Sequence, residues 1–347
     1  MINLLAALTL APVVAAPVPS PSPPALALVQ ARQQIHDARQ ELVAHFDSVQ
    51  QRSQLAVLLE TRLDEDLAAL DDEISTGPGY SVQDSQQAQL LRAQMTASLI
   101  HQLATGSYRE LRSARGADEV TVRSPADGLA QPAAIYVPPS YRESVAAPLV
   151  ILLHGLGGSE TDMVAVKFFR ELADATGTIV IAPYARGDIQ YADPAPADVY
   201  AALDAAKTAF NVDPKRTFLV GYSMGGFGVF RVGVVNPDDW AGFMAIAGGP
   251  TDDDRQAVLR GFQGKPVYTV SGTEDTVVSN AYVRLVAHML RDAGIPTGYY
   301  EQPHGTHSLA TIYPAIGRAW SDMHNGTWPQ AALPPVGAAP AQPMHPY

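Results

Sequence analysis

Two continuous apolar runs, Pro148 to Leu153 and Thr178 to Tyr184, stand on either side of a stretch with helical spacing at about Asp162 to Ala175. Apolar runs without polar alternation belong to strands buried on both faces. The same exchange of period continues through a helix at Ala197 to Phe210, a strand at Thr217 to Val220, a helix at Phe227 to Val235, strands at Phe243 to Ala247 and Pro266 to Ser271, and a helix at Ala281 to Ala293. Shorter strands are expected before them, at Glu119 to Val122 and Ala133 to Val137. Repeated strand and helix units restrict the chain to the α/β class, with a mostly parallel sheet flanked by helices. Strands joined in that way bring their carboxyl ends to one edge, where a site belongs.

The first third obeys a different rule. From Leu26 to Ile74 there is neither Gly nor Pro, and Leu28, Ile35, Leu42, Leu59, Leu63, Leu67 and Leu70 recur at helical spacing. Ser75-Thr76-Gly77-Pro78-Gly79 stops that helix, and Ser81 with Asp84 resembles the cap of a second one carrying Leu91, Met95, Leu99 and Leu103. An N-terminal helical hairpin is therefore expected as an accessory segment over 28–115, ahead of the α/β domain over 116–327. Its apolar stripes suit packing on a neighbouring element or contact with a protein partner.

Ile2 to Val14 is mostly apolar and is followed by Pro17 to Pro24 and small residues such as Ala25 and Ala27. Residues 1–27 read as an export signal with a proline-rich linker, placing the protein outside the cytoplasm, secreted or periplasmic; a plain N-terminal tail is the alternative. The run is too short and too interrupted by proline for a membrane span of about 20 residues. From Trp328 to Tyr347 proline and alanine dominate, so this stretch is expected to be an unpacked tail.

A net charge of -12 without any Lys/Arg cluster excludes a nucleic-acid backbone as partner. The absence of cysteine excludes thiolate nucleophiles, disulfides and thiolate-bound metals. The one dense acidic run, Asp252-Asp253-Asp254, is read as the start of a helix in preference to a metal site.

Between the strand Phe218-Leu219-Val220 and the following helix stands Gly221-Tyr222-Ser223-Met224-Gly225. The flanking glycines permit a sharp turn that lifts the Ser223 hydroxyl above the sheet edge. A neutral serine needs an imidazole base, a carboxylate to orient it, and donors for a developing oxyanion. Glu274 and Asp275 follow one strand end; His304 and His307 follow another, with His307 preferred because Gly305-Thr306 gives it room to approach. His154-Gly155-Leu156-Gly157-Gly158 ends the first long buried strand and can offer a backbone N–H, with a second at Met224. His154 itself is read as structural. Neither a phosphate-binding G-x-x-x-x-G-K-[ST] nor a dinucleotide G-x-G-x-x-G is present.

With Leu153-His154-Gly155, Val212-Asp213-Pro214-Lys215-Arg216, Gly221 to Gly226 and Gly272 to Val277 in this order, residues 118–327 resemble the α/β-hydrolase superfamily. Within it the likeness is to the secreted esterase branch of feruloyl esterases, polyhydroxybutyrate depolymerases and dienelactone-hydrolase-like proteins. The spacing around Gly272 to Val277 then favours Asp275 over Glu274. The resemblance implies a Ser223, His307 and Asp275 triad with the N–H groups of Leu156 and Met224 as oxyanion donors. It implies an acyl-enzyme route that needs no cofactor or metal, acting on a small-molecule or polymer-borne ester. Prolyl-oligopeptidase-like peptidases share these signatures, and a non-catalytic binding protein on the same scaffold is the third reading. The residues 183–200 are expected either to shape the substrate pocket or to form a plain surface loop.

Overall fold

The computed structural model describes residues 23–48, 54–71 and 82–337. Most of the candidate export signal, the Ser81 cap and residues 338–347 lie outside the described residues. Eight strands form one sheet: β1 (Gly116–Arg123), β2 (Ala130–Val137), β3 (Ala147–Leu153), β4 (Ile179–Pro183), β5 (Val212–Tyr222), β6 (Gly242–Ile246), β7 (Val267–Gly272) and β8 (Thr297–Gln302). Their order is β1-β2-β4-β3-β5-β6-β7-β8. The β1–β2 and β2–β4 pairs are antiparallel, and every other pair is parallel.

The uninterrupted apolar runs are explained by the two cores. Successive side chains of a strand point to opposite faces. In β3, Leu149, Ile151 and Leu153 enter one cluster while Val150 and Leu152 enter the other. The first face is covered by α6 (Ala195–Ala209), α7 (Met224–Gly233), α8 (Asp252–Gly261) and α9 (Asn280–Asp292), through residues such as Val199, Phe230, Val258 and Leu290. The second is covered by α4 (Glu160–Ala165), α5 (Lys167–Thr176) and α10 (Leu309–Asn325), through Met163, Phe169, Ile316 and Trp320. Each large apolar side chain removed from water in these layers contributes roughly 1.5–3 kcal/mol. The chain passes from β3 outward to β4, then returns to place β5 on the other side of β3. That reversal opens a crevice at the carboxyl ends of β3 and β5, where Leu153 and Gly221 are in register.

Three differences from the sequence expectations have physical causes. The long N-terminal helix is two, α1 (Pro23–Ser48) and α2 (Gln54–Asp71), followed by α3 (Val82–Thr105). Ile35 of α1 and Leu59 of α2 share a core with Leu99 of α3. In one straight helix they would stand about 36 Å apart, so the apolar stripe is buried by folding back on itself. The single helix expected at 162–175 is divided by Val166, whose backbone is extended (φ -66, ψ 119). Residues 328–337 are not an unpacked tail. Arg291 of α9 donates to Pro329 O at 2.8 Å and Ala331 O at 2.6 Å, and His288 Nε2 meets Pro334 O at 2.9 Å. Proline-rich backbone has few partners of its own, and the donors of α9 satisfy its carbonyls. The acidic run Asp252 to Asp254 occupies the first turn of α8. Among the described residues, no helix is long and apolar enough to cross a membrane.

Candidate active site

The turn from β5 into α7 places Ser223 at φ 53 and ψ -117, a left-handed backbone that costs a non-glycine residue about 1–3 kcal/mol. Its amide is held by Ile246 O of β6 at 2.9 Å. The close packing around it admits no side chain. A Cβ on Gly221 would fall 2.1 Å from Gly225 O, and one on Gly225 would fall 2.3 Å from Leu153 O. The glycines let α7 press against the ends of β3 and β5 while the serine between them is turned outward. Ser223 keeps 7% of its surface exposed.

Ser223 Oγ lies 2.8 Å from His307 Nε2, and His307 Nδ1 lies 2.9 Å from Asp275 Oδ2. Residue 307 is carried by the loop after β8, and residue 275 by the loop after β7. The Asp275 carboxylate is fully buried; its other oxygen accepts the amides of Val277 at 2.9 Å and Val278 at 2.8 Å. A carboxylate so bound can only accept, which fixes the imidazole proton on Nδ1 and leaves Nε2 free to receive the serine proton. His304 lies outside this set: it is exposed, and its Nδ1 pairs with Glu274 at 2.7 Å. Of the two candidate histidines and two candidate acids, the fold brings His307 and Asp275 to the serine.

Tyr222 has no counterpart in the sequence reading. Its hydroxyl donates to His307 O, and the two rings sit 5.4 Å apart. Burial, reinforced by the Asp275 charge, pushes the phenol up to about 12, so it remains a donor.

The turn after β3 stands beside the hydroxyl, since a Cβ on Gly155 would lie 3.4 Å from Ser223 Cβ. Gly158 N donates to Gly155 O at 3.1 Å and closes a turn with Leu156 and Gly157 at its centre. The Gly157 amide is taken by Asp188 Oδ1 at 2.8 Å, and Leu156 is 43% exposed at the crevice. Met224 opens α7, so its amide falls outside the intrahelical ladder, at the positive end of the helix dipole. His154 is buried, with Nδ1 2.9 Å from Gly155 O and Nε2 2.9 Å from Tyr184 O. The 183–200 loop is packed, not a plain surface loop. Its Tyr191 is buried and donates to His154 O at 3.1 Å, and its Arg186 is tied to Asp127 at 2.7 Å and to Ser124 at 2.9 Å.

Residues 187–319 match the model of the dienelactone hydrolase family. The protein named "Putative esterase NocK" of Nocardia uniformis subsp. tsuyamanensis is 32% identical over 114 residues, which make up 29% of this chain and 33% of that one. The chain thus aligns with about a third of that relative's length. Among solved structures, the fluorophosphonate-binding serine hydrolase FphF of Staphylococcus aureus is 18% identical, with a TM-score of 0.51 over 60% of this chain and 98% of that one. A ferulic acid esterase is 16% identical, with a TM-score of 0.51 over 60% and 98% of the respective chains.

The chain has the α/β-hydrolase fold.

Within this fold the residues found from sequence are those of local motifs at strand ends, and two of the missed ones reach the site from a distance. Tyr222 sat inside the glycine motif but carried no signal of its own. Asp188 and Tyr191 brace the Leu156 turn from a loop more than thirty positions away in sequence, and nothing local marks them.

Proposed function

We propose that this protein is a serine hydrolase that cleaves carboxylic esters through an acyl-enzyme on Ser223. His307 Nε2 takes the proton of Ser223 Oγ as that oxygen attacks the ester carbonyl, and Asp275 stabilises the imidazolium that forms. The carbonyl oxygen becomes an oxyanion facing the amides of Leu156 and Met224. The carbon–alkoxide bond then breaks, His307 returns the proton to the departing alcohol, and Ser223 keeps the acyl group. Water, deprotonated by the same imidazole, attacks the acyl carbon; the acid leaves and the proton returns to Ser223.

The observation that carries this reading is the continuous line of contacts from Ser223 Oγ through His307 to the buried carboxylate of Asp275, at 2.8 and 2.9 Å. The family match over residues 187–319 and the esterase name of the sequence relative support an ester as substrate.

The test is turnover of p-nitrophenyl acetate and butyrate by the wild type and Ser223→Ala, beside labelling with a fluorophosphonate. The wild type should hydrolyse both esters, the label should map to Ser223, and the variant should fall to background in both assays. Cleavage of proline-containing peptides in preference to esters would favour a peptidase, and an inert, unlabelled wild type would leave a binding protein on a hydrolase scaffold.

A further inference from the structure

The N-terminal helices do more than rest on the sheet. Arg62 of α2 is buried and makes a two-pronged pair with Glu160, Nη1 to Oε1 at 2.7 Å and Nη2 to Oε2 at 2.6 Å. Glu160 is the first residue of α4 and is itself buried. The Arg62 guanidinium also lies over the Tyr184 ring at 5.4 Å, and that ring stacks on His154, the residue that leads into the Leu156 turn. Arg92 of α3 reaches the same helix start. Its Nη1 binds Asp162 Oδ1 at 2.7 Å, while Asp66 and Glu65 of α2 hold it from behind, each at 2.8 Å.

Asp162 is the hinge of this arrangement. Its second oxygen, Oδ2, accepts the Ser159 amide at 2.9 Å while Ser159 Oγ accepts the Asp162 amide at 3.4 Å, forming the capping box of α4, and the Ser159 hydroxyl also donates to Oδ2 at 3.0 Å. Ser159 follows Gly158, whose amide closes the turn that presents Leu156. A chain of short polar contacts thus runs from the helical bundle to the backbone beside Ser223. A second buried carboxyl, Glu119 of β1, stands next to Glu160, and burial together with that neighbour pushes it well above the ordinary carboxylate range. Arg62 balances the charge of Glu160 and, against the effect of burial, draws that carboxyl below the ordinary range. Arg62 and Glu160 are buried together, Arg92 and Asp162 are about a third exposed, and both arginines converge on one short helix.

We infer that Arg62 and Arg92 are positioning residues, through which the N-terminal bundle sets the Leu156 amide for the reaction at Ser223. The inference rests on the serine-hydrolase reading of the site. A donor displaced by about 1 Å loses much of its hold on the transition state while leaving ground-state binding nearly unchanged. Loosening the bundle should therefore act on kcat.

Arg92→Ala and Asp162→Asn test this in the full chain. The asparagine can keep its oxygen on Ser159 while turning its amide N–H groups toward Arg92, so the capping box survives and the link to the bundle is cut. Each variant should lower kcat on p-nitrophenyl butyrate about tenfold with KM within about twofold. Each should weaken an alkylboronic acid, whose tetrahedral adduct needs the oxyanion donors, by the same factor. The double variant should be no worse than either single one, because both cut one connection. Arg39→Ala removes a different ion pair inside the bundle, the one with Asp64, and should leave kcat unchanged. If Arg92→Ala does not accumulate as folded protein, Asp162→Asn alone decides the question. An active wild type whose folded variants keep kcat within twofold overturns this inference alone; a wild type inert on every ester overturns the hydrolase reading and this inference with it.

Discussion

Replacing Asp275 by asparagine should damage catalysis more than replacing it by alanine, although alanine is the larger structural change. The reason lies in the two backbone amides of Val277 and Val278, which both point at Asp275 Oδ1. An asparagine must offer its carbonyl oxygen to those amides, since the reverse orientation would set N–H against N–H in a buried site. Its NH2 group then faces His307 Nδ1, which has to accept. The imidazole proton moves to Nε2 and points at Ser223 Oγ, so no base is left for the serine. We expect kcat to fall about 10⁴-fold, near 5.5 kcal/mol, with little change in KM. In Asp275→Ala the ring is free to take either tautomer, and part of the population keeps a basic Nε2. Its kcat should lie above that of the asparagine variant by about tenfold or more. Stability should run the other way, because alanine strands two buried amides at about 1–3 kcal/mol each, whereas asparagine keeps both bonded. Steady-state kinetics on p-nitrophenyl butyrate and urea unfolding of both variants read the two orders. An asparagine variant within tenfold of the wild type, or more active than the alanine variant, would refute the tautomer mechanism.

Gly225→Ala forces a Cβ against two backbone oxygens, Leu153 O at 2.3 Å and His154 O at 2.7 Å, and neither can move without shifting the end of β3. About 3 kcal/mol of destabilisation, or roughly 4 °C in the thermal midpoint of a chain this long, is expected. Gly317→Ala, in α10 with nothing within 4 Å, should stabilise the protein by up to about 1 kcal/mol; equal midpoints for the two variants would contradict this account. His324 gives a pH dependence. Burial lowers it from 6.5 to about 4, and its ring meets Trp320 O at 2.9 Å and Thr178 Oγ1 at 2.8 Å. The neutral ring is favoured in the fold, so its contribution is complete above pH 6.5 and is lost as the pH falls toward 4, by about 3 kcal/mol. Between pH 7 and pH 4 the wild type should lose about 3 kcal/mol more unfolding free energy than His324→Gln, and parallel curves would rule the effect out.

The sequence by itself determined the α/β class, the glycine-flanked turn at Ser223 and the strand ends that bear Asp275 and His307, because each depends on chemistry within a few residues. Apolar period reports which faces are buried, and glycine on both sides of a serine reports a turn too tight for side chains. The sequence favoured His307 over His304, five and two residues beyond the end of β8, but the choice was decided by the tertiary structure, because only one of these loop positions meets Ser223 and Asp275 once the chain has closed. It also decided that α1 and α2 fold back on each other, that residues 328–337 lie on α9, and that Arg62 is buried. An arginine on an amphipathic helix has the same local signature whether it meets water or a carboxylate 98 positions away, and that partner exists only once the chain has closed.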